Sequence, residues 1–274
     1  MMNIKGITAM TAGLALCAGL AAGTACTANA ADVEYRAGLP TRIVNSGFDY
    51  PKIGDSWWGN YGGSKKYITI NPNCSAAGWG GVNDCAFPIG GWDADAFGWK
   101  STQKRTGIYY PNVVELNRGS DGNVYAEITA DVQGTAIYQD VATTPGAIYT
   151  WRLKHASASN RHVDSMRVMI GAPGRESAQQ ATRVVSESGR PLGDVGTLIA
   201  TPAKSSRYDE KTWDTYEGTY TIPAGQTTTR FTFQAVDGAG DAFSGNNVDM
   251  IEFEISYPLT YELNGGSGTV PNRR

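Results

Sequence analysis

Residues 134–155, GTAIYQDVATTPGAIYTWRLKH, limit the possible folds more than any other stretch of the chain. Two extended runs flank a break at Thr143-Thr144-Pro145-Gly146. In the second run Ala147, Tyr149, Trp151 and Leu153 alternate with Ile148, Thr150, Arg152 and Lys154. Successive side chains of a strand point to opposite faces, so this run carries one apolar face and one polar, basic face. Proline presets φ and the following glycine accepts positive φ, which suits a type II turn and predicts a hairpin. The greasy side of such a hairpin needs a second layer to cover it.

Other period-two runs supply that layer. They fall at residues 112–116, 124–130, 136–141, 164–171, 212–222, 228–236 and 248–257, after an opening strand at 42–51. In 164–171, for example, Met166, Val168 and Ile170 oppose Ser165, Arg167 and Met169. Residues 52–98 differ in composition, with Trp57-Trp58, Tyr61, Trp79, Trp92 and paired glycines, and read as a long loop excursion. Residues 172–210 are polar and irregular, with a helical turn expected at 176–181. With 34 Gly, 14 Tyr and 7 Trp and no long helical period, the chain is expected to be all-β, a sandwich or barrel.

The N-terminus reads as a secretory signal peptide over residues 1–31. Lys5 forms the basic region, an alanine-rich apolar run extends from Ile7 to about Gly23, and Ala28-Asn29-Ala30 offers a cleavage site. A lipobox at Cys17 or Cys26 is disfavoured by Leu16 and Gly23. Export leaves Cys74 and Cys85, expected to form one disulfide in an oxidising compartment; a metal pair is the alternative, and no nearby His supports it. The formal charge is −3 and no basic run occurs, so nucleic acid is not an expected partner. No apolar run beyond residue 31 is long enough to span a bilayer. The mature chain is expected to be a secreted monomer.

Several motifs in order resemble one family. Asn45-Ser46-Gly47-Phe48-Asp49 resembles the opening of galactose-binding-like jelly-roll modules, and Asn247-Val248-Asp249-Met250-Ile251-Glu252-Phe253 resembles their closing strand. Gly98-Trp99-Lys100-Ser101-Thr102, Tyr125-Ala126-Glu127-Ile128 and Trp213…Tyr216-Glu217-Gly218-Thr219-Tyr220 fall between them. The likeness covers roughly residues 43–258 and is strongest to carbohydrate-binding modules of secreted, wall-attached Gram-positive proteins. It implies a jelly-roll β-sandwich carrying a long Gly/Trp-rich insertion, behind a flexible leader at 32–42. Residues 257–271, beginning Tyr257-Pro258-Leu259-Thr260-Tyr261, resemble the start of an internalin B-repeat-like β-grasp unit, so 259–274 are expected to be a disordered tail, the start of a truncated repeat.

The resemblance also implies sites. A structural calcium would lie between Asp49 and Asp249, although Met250 replaces a second Asp; solvated turn carboxylates are the alternative. Glycan binding needs aromatic platforms and placed polar groups. Trp57, Trp58, Tyr61 and Trp79 would form the platform, or else a small core beside the disulfide. Glu127, Gln139, Arg152 and Arg167 would supply hydrogen bonds from one sheet face. Trp99, Trp151 and Trp213 are expected in the core. His155 and His162 beside Asp164 lack the spacing of a helical metal pair, no G-x-S-x-G nucleophile turn occurs, and loop polarity accounts for both histidines. Asp93 and Asp95 are too close in sequence to read as a glycosidase pair. The expected function is non-catalytic recognition of a glycan or of a host or cell-wall surface. A pocketless spacer in a modular adhesin is the alternative, and a jelly-roll lyase or hydrolase is third.

Overall fold

The computed structural model describes residues 34–52, 67–73, 76–78, 87–88, 91–105, 111–128, 132, 134–158, 161–203, 211–238 and 245–257. In chain order, β1 (Tyr35–Arg36) and β2 (Leu39–Pro40) pair with each other, followed by β3 (Tyr67–Asn71), β4 (Ala76–Gly78) and β5 (Phe87–Pro88). One helical turn, α1 (Ala94–Phe97), precedes β6 (Lys100–Ser101), β7 (Val114–Arg118), β8 (Val124–Glu127), β9 (Ala136–Ala142), β10 (Ile148–Ala156) and β11 (Ser165–Gly171). Short strands β12 (Ser177–Ala178), β14 (Val195–Gly196) and β15 (Ile199–Ala200) surround β13 (Ala181–Ser186), and β16 (Asp214–Thr221), β17 (Thr228–Asp237) and β18 (Asn247–Ile255) close the set.

These strands build a jelly-roll β-sandwich. One antiparallel sheet runs β14-β13-β16-β10-β18-β8-β7-β3-β4-β5, and the other runs β12-β11-β17-β9-β6 with β15 added against β11. The chain changes sheet at β5→β6, β6→β7, β8→β9, β9→β10, β10→β11, β12→β13, β14→β15, β15→β16, β16→β17 and β17→β18. Inward rows meet between the layers. Phe231 of one sheet stacks on Phe253 of the other at 4.9 Å, and Tyr149 stacks on Phe253 at 4.7 Å. Trp151, Leu153, Met166, Val168 and Ile170 are buried around them, as the alternation predicts. Burying a large apolar side chain is worth about 1.5–3 kcal/mol each, so this double row is the main source of stability.

The two ends of the domain are neighbours. Ile251 N–H donates to the Ser46 carbonyl at 3.0 Å, and Phe48 stacks on Trp99 at 5.1 Å, with the Ile251, Phe48 and Trp99 side chains all buried. Gln139 holds the entering segment in place. On β9 it shares the inward phase of Ile137 and Val141, accepting from Val44 N–H at 3.1 Å and donating to the Val44 carbonyl at 2.7 Å. Gln139→Ala would strand both buried groups and is expected to cost about 2 kcal/mol, measurable as a lower urea midpoint at unchanged slope.

Several expectations are corrected. The 134–155 stretch is not a hairpin: β9 pairs with β17 and β6, while β10 pairs with β16 and β18. The turn closes locally (Ala147 N–H to Thr144 O, 3.1 Å) but is held by the neighbouring crossover, through Gly146 N–H to Ile222 O and Thr143 N–H to Thr227 O, both 2.9 Å. Residues 42–51 form no strand, because Asn45 and Phe48 sit at φ 50° and 57° and the Asn45 side chain takes both backbone groups of Tyr50. The helical turn at 176–181 is absent; those residues hold β12 and the first residue of β13. In the excursion, β3 is a core strand carrying buried Ile68 and Ile70. Within the expected leader, residues 35–40 carry the β1–β2 pair, and Arg36 Nη1 donates to Thr144 Oγ1 at 3.3 Å.

Candidate functional site

The β7–β8 connection sets one wall of a cleft. Gly119 N–H donates to the Asn123 carbonyl at 2.8 Å, and the Asp121 carboxylate accepts from Asn123 N–H at 3.0 Å, a local side-chain turn that holds both residues at the rim. Strand β8 then alternates: Ala126 enters the core while Tyr125 and Glu127 take the outer face of the larger sheet. Across from it, Trp213 leads into β16, its N–H donating to Glu187 Oε2 at 2.9 Å. Its indole meets Tyr125 edge-on, centroids 5.4 Å apart at 76°. Lys211 Nζ lies 5.7 Å from the Tyr125 ring centroid and donates to the Ala158 carbonyl at 3.0 Å.

Gly119, Ser120, Asp121, Asn123, Tyr125, Lys211 and Trp213 line this cleft, whose volume is about 270 Å³. It offers an aromatic floor, an ammonium, a carboxamide and a carboxylate, an apolar surface with a few placed polar groups. Beneath the rim, Asn123 Nδ2 donates to Asp249 Oδ2 at 2.9 Å. Burial pushes the Asp249 carboxyl up to about 6 against those donors, and the nearby Asp49 charge adds to the rise.

Of the four residues expected on one sheet face, only Glu127 and Arg152 share one, the outer face of the larger sheet. Gln139 faces the core on β9. Arg167 sits on the smaller sheet, and Arg152 is exposed on the larger one, in register between Glu217 and Glu252. Glu127 is buried, accepting from Gly245 N–H at 2.6 Å and Asn117 Nδ2 at 3.0 Å. Trp57, Trp58, Tyr61, Trp79, Cys74 and Cys85 lie outside the described residues, as do residues 1–31 and 259–274. Asp49 and Asp249 do converge: a Cβ placed on Gly47 would stand 3.5 Å from Asp49 Oδ2 and 3.8 Å from Asp249 Oδ1.

Trp99 and Trp151 are core residues, whereas Trp213 is half-buried at the cleft. The signal was strand phase: Trp213 shares parity with Thr215, Glu217 and Thr219, opposite Tyr216 and Ile222. His155 is not a loop residue but fully buried, Nδ1 3.1 Å from Thr201 Oγ1 and Nε2 3.0 Å from Asn246 Oδ1. Desolvation holds its imidazole down at about 4. His162 is exposed, and Asp93 caps α1 by accepting from Asp95 N–H and Ala96 N–H. Among the described residues no group of three His, Cys, Asp or Glu could hold a metal ion, and no helix is long and apolar enough to cross a membrane.

The sequence matches no protein-family model, and no curated protein matches it. Solved structures of similar fold include carbohydrate-binding modules. The Clostridium thermocellum xylanase 10B CBM22-1–GH10 modules complexed with xylohexaose align at a TM-score of 0.36 and 10% identity, over 60% of this chain and 27% of that one. A CBM4 module aligns at 0.34 and 13% identity over 58% and 86%, and TmCBM61 complexed with β-1,4-galactotriose at 0.34 and 10% over 58% and 88%.

Proposed function

We propose that this chain is a secreted, non-catalytic glycan-recognition module of a modular surface protein. The observation that carries the reading is Trp213, turned to the outer face and set edge-on to Tyr125 beside Lys211, Asn123 and Asp121. An indole face stacks on the C–H side of a pyranose, and Lys211, Asn123 and Asp121 meet its hydroxyls as donors and acceptors. Trp57, Trp58, Tyr61 and Trp79 remain further candidate stacking residues. A structural calcium would be held by Asp49 and Asp249, whose carboxylates flank Gly47; burial, and after it the charge of Asp49, raises the cost of ionising Asp249 until a cation offsets it.

A glycan array probed with the mature chain tests this, with Trp213→Ala and Trp57→Ala in parallel. The wild type should select one glycan class, and Trp213→Ala should weaken that signal by about tenfold or more, the scale of one lost aromatic anchor. Equal signals from wild type and Trp213→Ala would move the site away from the cleft. Signals near zero from all three proteins would leave a spacer domain.

A further inference from the structure

The outer face of the larger sheet carries a second polar feature, one that glycan stacking does not use. Glu115 on β7 and Glu127 on β8 are register partners, and Glu127 is in turn the register partner of Asn247 on β18. All three alternate with core residues (Leu116, Ala126, Val248), so their side chains share the outward face. They are nonetheless buried, with 5%, 7% and 0% of their surface exposed. Asn117 Nδ2 bridges the two acids, 3.0 Å from Glu127 Oε2 and 3.4 Å from Glu115 Oε1.

Like charges in direct cross-strand register repel, and burial removes the water that would screen them. A proton shared between the acids would relieve the repulsion, yet it leaves Asn247 unexplained. Both polar atoms of that carboxamide, Oδ1 and Nδ2, are buried without a hydrogen-bond partner. An orphaned buried amide is unfavourable unless an occupant satisfies it.

We propose that Glu115, Glu127 and Asn247 form a binding site for a divalent, oxygen-seeking cation of the calcium class. Neighbouring strands lie about 4.8 Å apart, so two carboxylates and one carboxamide oxygen reach a common point above Glu127. A carboxylate oxygen that accepts one hydrogen bond, as those of Glu127 do from Asn117 and Gly245, keeps a second lone pair for a cation. Asn247 Oδ1 supplies a neutral ligand, and Nδ2 donates to a water of the cation's remaining shell. Calcium fits better than magnesium, because irregular sets of six to eight oxygens suit it and magnesium surrenders its waters reluctantly. This site shares no residue with the lining of the glycan cleft, and it differs in every ligand from the calcium proposed at Asp49 and Asp249.

The test uses the mature chain stripped with chelator and titrated with terbium, whose luminescence nearby Tyr125 and Trp213 would sensitise, and with calcium in thermal unfolding. Glu127→Gln should weaken the ion by about tenfold or more, and Asn247→Asp should tighten it by about tenfold, because affinity follows ligand charge. Asn247→Asp adds a carboxylate without altering size, so its Tm should fall in chelator and recover in calcium, a signature no packing role produces. Asp49→Asn separates the two sites, since it should leave this terbium signal in place. The proposal is overturned if the chain binds neither ion at millimolar concentration, or if Glu127→Gln and Asn247→Asp bind as the wild type does. Should Glu127→Gln fail to fold, Asn247→Asp against Asp49→Asn decides alone.

Discussion

A single methyl group at Gly218 is expected to lower the unfolding free energy by about 3 kcal/mol, the upper end of overpacking effects. Gly218 is the register partner of Trp151 across β10 and β16. The Trp151 indole, fully buried, lies in the space where a side chain at 218 would stand. A Cβ there would come within 2.4 Å of Trp151 Cζ2 and 2.6 Å of the Gln180 carbonyl oxygen. The second contact is backbone, so no rotamer change relieves it. The indole also packs against Phe231, centroids 6.3 Å apart, and packed interiors have little free volume to absorb a shift. Gly146→Ala is the control. It sits at φ 80° with nothing within 4 Å of an added Cβ, so only backbone strain of about 1 kcal/mol is at stake. Urea unfolding of the two variants should separate by at least about twofold in lost free energy. Equal losses would show that the indole can move aside.

The long strands were legible because each pairs strict alternation with large apolar residues. Tyr149, Trp151 and Leu153, or Met166, Val168 and Ile170, leave only one side that can face inward. Partner choice was not legible. The Thr144–Ala147 turn has the same chemistry whether it closes a hairpin or carries the chain between layers. What decides is Ile222 and Thr227, far along the chain, which bond to the turn from the adjacent crossover. The strands β12, β14 and β15 are two residues each, too short for any period to show. The opening segment reads as extended, yet its backbone groups are satisfied by the Asn45 and Gln139 side chains rather than by a ladder.

The candidate site was half legible. Tyr125 and Glu127 could be placed on one face by parity, and the same parity turns Trp213 outward, although its motif suggests core. The convergence of Lys211 on Tyr125, and the register that brings Glu115, Glu127 and Asn247 together, depend on non-local pairing. No spacing in the sequence reports them. Asn247 illustrates the limit: as a residue it is an ordinary strand-initial Asn, and only the fold shows that its amide has no partner.

Acidification to about pH 4.5 should destabilise this domain through His155 by roughly 2–3 kcal/mol. The Asn246 Nδ2 donates to the Asp237 carbonyl at 2.8 Å, which orients Asn246 Oδ1 as an acceptor toward the ring. His155 therefore carries its proton on Nε2, and Nδ1 accepts from the Thr201 hydroxyl. A second proton would face that hydroxyl in a buried site, and desolvation, with the Arg183 charge adding, opposes it while Asn246, Asp164 and Asp214 favour it. The unfolded imidazole takes its proton near pH 6.5; the folded one resists until about 4. Between those values the unfolded chain binds more protons, so stability falls as pH falls. The contribution is intact above pH 6.5 and gone below about 4. Glu127 and Asp249, raised to about 7 and about 6, act in the opposite sense and together outweigh the effect in the wild type. The readout is therefore the difference between wild type and His155→Gln, whose neutral carboxamide can meet Thr201 and Asn246. Urea midpoints near neutrality and at about pH 4.5 should show the wild type losing ground to the variant on acidification. Parallel pH profiles would mean that the imidazole titrates freely in the folded chain, and that the bonds to Thr201 and Asn246 open before the proton arrives.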